Sequence, residues 1–529
     1  MTRILVIQLC RLGDMLQTTP MLRGLRRAHP GARITLMVFD GFSHTPVPRA
    51  LYDELAVFPL RSLGESVRTD WTAARRELRA FLDSLGTEPF DLVLNLTGSP
   101  TANLLSARVR AREVRGALIA PDRTRVVRHP WMAYFWASQL ARTYGCINLV
   151  DLFQWTAGVP IDDGRLEIDV PVEARTKMEA WLRTRGWTGE PLIALQLGAS
   201  DERKRWPPER VAAMANLLPA SAGTMVFVGS ASERPLVGRA LARLDRPAID
   251  AAGETSVPEL AALLGHARLL VTNDTGTMHV AVAVGTRVLD LSTGPVFVHE
   301  TGPYAAGSVA VEPTAACFPC AAGASCHQLT CRDDLNEAEI AGLARFALGD
   351  GPLVRPARAR VLVAERTATG RIEYRPVWEP AGRRQSIERR ALARMWETTM
   401  PVPGVPAPDG LALEELALDD RDLIGALERF AVRADRAAAI ARRIDGANRA
   451  AETHATELGR AFEVAHTAAT VTPILLPVVA YLRTRLESAA GHDVRSLAHF
   501  YREEWAMAAR RARLLARIFS GRAAATAAS

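Results

Sequence analysis

Along the first 350 residues, short runs of consecutive apolar residues alternate with longer stretches in which apolar positions recur every three or four residues. RILVIQL (3–9), ARITLMVF (32–39) and FDLVLNL (90–96) are apolar on both faces, and they are separated by amphipathic stretches such as MLRGLRRAHP (21–30) and DWTAARRELRAFLDSLG (70–86). Strands apolar on both sides, alternating with helices, predict a parallel sheet covered by helices on both faces. The loop CRLGDMLQTTP is expected to join the first strand to the first helix. The pattern restarts after the hinge-like VPIDDGRLEIDVPVEA (159–174). A helix in RTKMEAWLRTRG, a strand in LIALQLG, a helix in PERVAAMANLLP, a strand in GTMVFVGS and a helix in ASERPLVGRALARL follow, then the strand ARLLV. Two successive α/β halves predict a cleft between them.

These patterns divide the chain into an α/β domain over 1–165, a second over 166–350, a hairpin or linker over 351–380 and a mostly helical extension over 381–529. The hairpin reading rests on RVLVAERTATGRIEYRPVWEP. The helical reading rests on Ala, Arg, Leu and Glu at helical spacing, interrupted by the Pro-rich linker TTMPVPGVPAPDG. The extension carries no evident chemistry and reads as a packing or oligomerisation module.

Composition narrows the class. With 48% hydrophobic and 23% charged residues in 529, the chain is globular and long enough for more than one core. Its longest apolar stretches are short and proline-broken, below the roughly 18 residues of a membrane span. The N-terminus reads as a first strand rather than a signal peptide, so a cytoplasmic protein is expected. A net charge of +7 favours an acidic small-molecule or surface partner: a nucleotide, a phosphorylated glycan or an anionic membrane face, with no nucleic acid expected. Only Lys177 and Lys204 among 65 basic residues are lysine. A retained lysine in such an Arg-rich chain marks a place for a compact ammonium.

The candidate chemistry lies where strands give way to helices. NDTG (273–276) puts Asp274, Thr275 and Gly276 between ARLLV and the helix-like MHVAVAV, where N-terminal amides favour an anion; a simple helix cap is the competing reading. LGASDERKRWPPE places Gly198, Ser200 and Lys204 in the loop after another strand, and VGSASE does the same for Gly229, Ser230 and Glu233. Three such loops describe a nucleotide pocket, and none of them is a Walker loop or a GxGxxG fingerprint. CFPCAAGASCHQLTC gathers Cys317, Cys320, Cys326 and Cys331 at spacings that suit tetrahedral thiolates, with His327 as an alternative ligand. A structural zinc or iron is the metal expectation, with free thiols the alternative.

Taken in order, RILVIQLCRLGDMLQTTPMLRGLRRAHP, FDLVLNLTGSPTANLLSARVRAREVRG, GASDERKRWPPE, GSASE, NDTGTMHVAVAVGT and TGPYAAG resemble glycosyltransferase family 9, the ADP-heptose:lipopolysaccharide heptosyltransferases, over residues 1–350. The resemblance implies a GT-B fold, with an N-terminal acceptor domain and a C-terminal donor domain. It implies inverting transfer from an ADP-sugar, with no cofactor required for transfer, to an anionic glycan or lipid-linked acceptor at the inner membrane surface. By that resemblance Asp14 matches the catalytic base, Lys204 the diphosphate contact, Glu233 the ribose contact, and Asp274, Thr275, Gly276 and His279 the donor-binding element. Residues 352–529 have no counterpart in ordinary members. Two other functions fit the chain as read: a GT-B nucleotide-sugar epimerase, and a non-catalytic scaffold working through its helical tail.

Overall fold

The computed structural model describes residues 1–320, 324–326, 328–380, 384–404, 416–418, 420–444, 449–489 and 493–521. The first sheet contains β1 (Arg3–Ile7), β2 (Arg33–Phe39), β3 (Glu54–Phe58), β4 (Phe90–Asn95), β5 (Ala111–Ile119) and β6 (Arg125–Arg128), in the order β3-β2-β1-β4-β5-β6. Its strands are parallel except for the antiparallel β5–β6 pair. Val6 and Ile7 lie wholly inside, as the uninterrupted apolar runs require.

The second sheet repeats this plan. It is built from β7 (Leu192–Gln196), β8 (Thr224–Val228), β9 (Ala248–Asp250), β10 (Ala267–Thr272), β11 (Arg287–Leu291), β12 (Val309–Pro313), β13 (Ala359–Arg366) and β14 (Ile372–Trp378), ordered β14-β13-β12-β11-β10-β7-β8-β9. In each sheet the strand order reverses beside the domain's first strand, between β1 and β4 and between β7 and β10. A parallel α/β sheet binds ligands at such a reversal, because neighbouring crossovers leave to opposite faces and open a crevice. The fold is thus two Rossmann-like domains facing across a cleft, with a helical C-terminal region.

Two local expectations change. The loop after β1 is shorter than CRLGDMLQTTP: helix Leu12–Ala28 begins inside it, so Asp14 sits in the helix's first turn rather than on a loop. Pro20 lies inside that helix and cannot donate to the carbonyl of Leu16. Thr19 Oγ1 donates to that oxygen instead, at 2.7 Å, so the carbonyl that the proline cannot serve keeps a partner. The hairpin expected over 351–380 forms: β13 pairs antiparallel with β12 and β14 with β13, extending the second sheet.

The extension is welded to the first domain. Helix Leu476–Glu487 packs on helix Pro130–Ser138, and helices Arg421–Ala441 and Val494–Ser520 pair along their lengths. Trp396, Phe430, Leu515 and Phe519 belong to the same apolar cluster as Leu22, Leu25 and Trp131. Trp131 Nε1 donates to the Pro401 carbonyl at 2.8 Å, and Arg511 stacks over Trp396 and Tyr481. Residues 405–410 of the Pro-rich linker fall outside the described residues. Among the described residues, no helix is long and apolar enough to cross a membrane.

Candidate functional site

The cleft encloses a cavity of about 510 Å³. From the first domain come Asp14 and its neighbours, just after β1. From the second come Ser200 and Lys204 after β7, Gly229, Ser230 and Glu233 after β8, and Asp274, Thr275, Gly276 and His279 after β10. Every sequence-predicted donor residue except Gly198 lines this one space.

Gly198 acts from just behind the wall. A Cβ on it would meet Glu233 Oε1 at 1.5 Å, so only glycine leaves room for that carboxylate. The other oxygen, Oε2, accepts from Ser230 N–H at 2.6 Å, which anchors the side chain across the β8 loop. Lys204 Nζ binds Asp274 Oδ2 at 2.6 Å, and Thr301 Oγ1 lies 3.4 Å from Asp274 Oδ1. Asn273 holds the two loops in register: its amide nitrogen donates to Leu197 O at 3.2 Å, and its Oδ1 accepts from Trp206 N–H at 3.1 Å.

Opposite stands Asp14. Its Oδ2 accepts from Arg11 N–H at 3.2 Å. The turn carrying it is tied down by Thr18 Oγ1 on the Asp14 carbonyl at 2.8 Å and by Leu9 N–H on Thr97 Oγ1 at 2.8 Å, which links the loops after β1 and β4. Burial pushes the Asp14 carboxyl up; Arg11 N–H opposes this and the nearby charge of Asp274 adds to it. A carboxylate made more basic in this way is better matched to taking a proton near neutrality. Burial also pushes His279 down to about 4, against the pull of Asp274, so the imidazole is neutral. Its ring packs over Gly13, where a Cβ would come within 2.5 Å of His279 Cδ2.

The cavity wall holds buried polar atoms without partners: Thr275 Oγ1, His279 Nδ1, Gln17 Nε2 and Gln196 Oε1. Orphaned buried groups are costly, and their convergence on one space fits a polar ligand that completes them. Sequence reasoning passed over Gln17, Gln196 and Thr301. It also passed over Arg11, which stands inside the quoted CRLGD but carries no signal of its own in a chain so rich in arginine.

The cysteine segment lies behind the Lys204 loop. Cys320 and Cys331 are buried and Cys317 is exposed. Burial pushes the Cys320 and Cys331 thiols up, and the neighbouring cysteines add to the shift. Among the described residues no three His, Cys, Asp or Glu side chains are arranged to hold a metal ion, and His327 lies outside them. What the segment does hold is the loop: Arg203 donates to the Ala324 carbonyl, Thr293 Oγ1 to Arg203 O at 3.1 Å, and Arg332 Nη1 to Arg205 O at 3.0 Å.

Residues 78–328 match the family model for glycosyltransferase family 9 (heptosyltransferase). Lipopolysaccharide heptosyltransferase 1 of Pseudomonas aeruginosa is 25% identical over 325 residues, covering 60% of this chain and 86% of that protein. Lipopolysaccharide heptosyltransferase 3 of Escherichia coli is 24% identical over 307 residues, covering 53% and 80%. Among solved structures, a glycosyl transferase family 9 protein from Veillonella parvula superposes with a TM-score of 0.53 at 23% identity, over 66% of this chain and 98% of that one. That likeness concerns the fold, which is GT-B.

Proposed function

We propose that the chain, whose residues 78–328 match the glycosyltransferase family 9 model, transfers a heptose or related sugar from an ADP-sugar to a lipopolysaccharide-type or other envelope glycan, with inversion. Asp14 takes the proton from the acceptor hydroxyl as that oxygen attacks the anomeric carbon, from the face opposite the departing ADP. A positioned base of this kind contributes roughly 10²- to 10⁴-fold. Lys204 and the first amides of helix Gly276–Ala283 stabilise the diphosphate as it leaves, without a divalent cation. Glu233 holds the ribose, and Thr275, His279 and Gln196 complete their hydrogen bonding on the donor. The net charge of +7 fits an anionic acceptor at a membrane surface, which makes peripheral association at the inner face part of this reading.

The observation that carries the proposal is the meeting of Asp14 and the Lys204–Asp274 pair in one cavity from opposite domains. Thermal-shift measurements with ADP, UDP and GDP, followed by assay of ADP release from ADP-heptose, test it. Preferential stabilisation by ADP is expected, about 2.7 kcal/mol at a hundredfold excess over Kd. Preference for UDP points instead to the epimerase, and binding of no nucleotide points to the scaffold.

A further inference from the structure

We propose that Arg11 is a second diphosphate-binding cation, supplied by the acceptor-side domain and reaching the donor across the cleft. The inference rests on the donor being a nucleoside diphosphate sugar, as argued above, and adds to it a residue that closes the site from the other side.

The first ground is position. Arg11 stands immediately before helix Leu12–Ala28 and lines the same cavity as Lys204, Glu233 and Asp274. Its Nη1 donates to Ser200 Oγ at 2.7 Å, so the guanidinium already spans from one domain to the phosphate-side loop of the other. A guanidinium carries five donors in a planar fork, and a single contact to a hydroxyl leaves that fork available to phosphate oxygens.

The second ground is charge. Among the described residues, Arg11 and Lys204 are the cations lining the cavity, facing Asp14, Glu233 and Asp274. The Lys204 ammonium is matched by Asp274 at 2.6 Å before any ligand arrives. His279 is held neutral by its burial and adds nothing. Without Arg11, a dianionic diphosphate would meet a wall in which carboxylates outnumber cations, in a space partly shielded from water where that mismatch counts. With Arg11 the excess narrows from three carboxylates against one cation to three against two, and the added charge comes from the domain that carries the base.

This location couples two events. The backbone N–H of Arg11 holds Asp14 Oδ2, and its side chain reaches the donor-side loop. A diphosphate bound between Arg11 and Lys204 contacts both domains at once, through the residue whose backbone also holds the base. Donor binding and placement of the base are thus linked through one residue.

Isothermal titration of the full chain with ADP and with adenosine tests the proposal, using wild type, Arg11→Ala, Arg11→Lys and Lys204→Ala. Arg11 is exposed, so its truncation leaves the core intact, and unfolding temperatures verify this. Arg11→Ala is expected to weaken ADP about tenfold or more while adenosine stays within about twofold. Arg11→Lys should recover part of the loss, and the salt dependence of ADP binding should flatten in Arg11→Ala. ADP affinity in Arg11→Ala within twofold of wild type, with Lys204→Ala still impaired, overturns the inference and leaves the functional reading standing. Equal losses for ADP and adenosine in Arg11→Ala mark a structural role and also overturn it. Wild type binding ADP no better than adenosine overturns both.

Discussion

The two domains touch in two unlike places. At the mouth of the cleft, Arg11 reaches Ser200 in the open and Gly13 passes under His279, around a cavity whose polar atoms await partners. At the back, charged groups are buried in a seam between the domains, the hairpin and the first helix of the extension. Arg142 donates to Pro295 O at 3.0 Å and pairs with Glu300, and Tyr304 donates to Asp151. Arg371, just before β14, binds Glu397 of helix Arg384–Thr399 at 2.7 Å, and Arg389 of that helix meets His299 Nε2 at 2.6 Å. Similar residue types serve opposite ends in these two regions, and water decides which. In the dry seam, losing one partner strands a charge, so the pairing fixes how the domains pivot. At the wet mouth such losses cost little stability, which leaves those groups available to a ligand.

Substitutions on the two sides should therefore separate activity from stability. The largest expected effect is from Asp14→Asn: kcat falling roughly 10²- to 10⁴-fold with ADP affinity within about twofold of wild type, by steady-state kinetics and titration. A comparable loss of ADP binding would place Asp14 in donor binding instead. In the seam, Arg371→Met takes the closer of Glu397's two ion-pair partners and leaves only Arg394, at 3.6 Å. It should lower unfolding free energy by about 3–5 kcal/mol in denaturant titrations, and leave the ADP affinity of the folded protein unchanged. Lys204→Ala is expected to weaken ADP about 10- to 100-fold; an unchanged Kd would remove the ammonium from the phosphate site. Gly13→Ala sets a methyl against His279, so turnover should drop several-fold in steady-state assays while ADP still binds to the second domain.

The smallest effect concerns pH. Burial pushes Asp151 up to about 7, above its ordinary value of 3.8, so the folded state keeps a proton that the unfolded chain releases. The stability this provides is full below the ordinary carboxylate range and drains away as pH rises towards 7. Asp151→Asn removes that dependence. Its Tm should therefore gain on wild type as pH climbs through this window, with a residual slope from Asp290, which burial pushes up to about 8. Parallel Tm profiles for the two proteins would show that Asp151 is already ionised in the fold.

Much of the second domain's share of the cavity wall was legible beforehand because its signals are local. Lys204 stands out as one of two lysines, Gly198 and Gly229 end apolar runs, and Asp274-Thr275-Gly276 opens a helix. Arg11 and Thr301 gave no such signal. Arg11 is one arginine among many, and Thr301 reaches Asp274 only through the folding of the chain after β11. Helix Leu12–Ala28 begins inside the stretch expected as a loop and carries Pro20 within it, with Thr19 Oγ1 on the Leu16 carbonyl.

The order of apolar runs, taken alone, determined the two sheets and the loops that carry polar residues, because a strand buried on both faces has to be apolar throughout and its loop has to be polar. What only the tertiary structure decided is which of those loops meet. Asp14 and Lys204 are 190 residues apart, and their convergence depends on two strand-order reversals facing each other across the cleft. Long-range pairing of that kind arises from packing between whole surfaces, and no local run of residues encodes it.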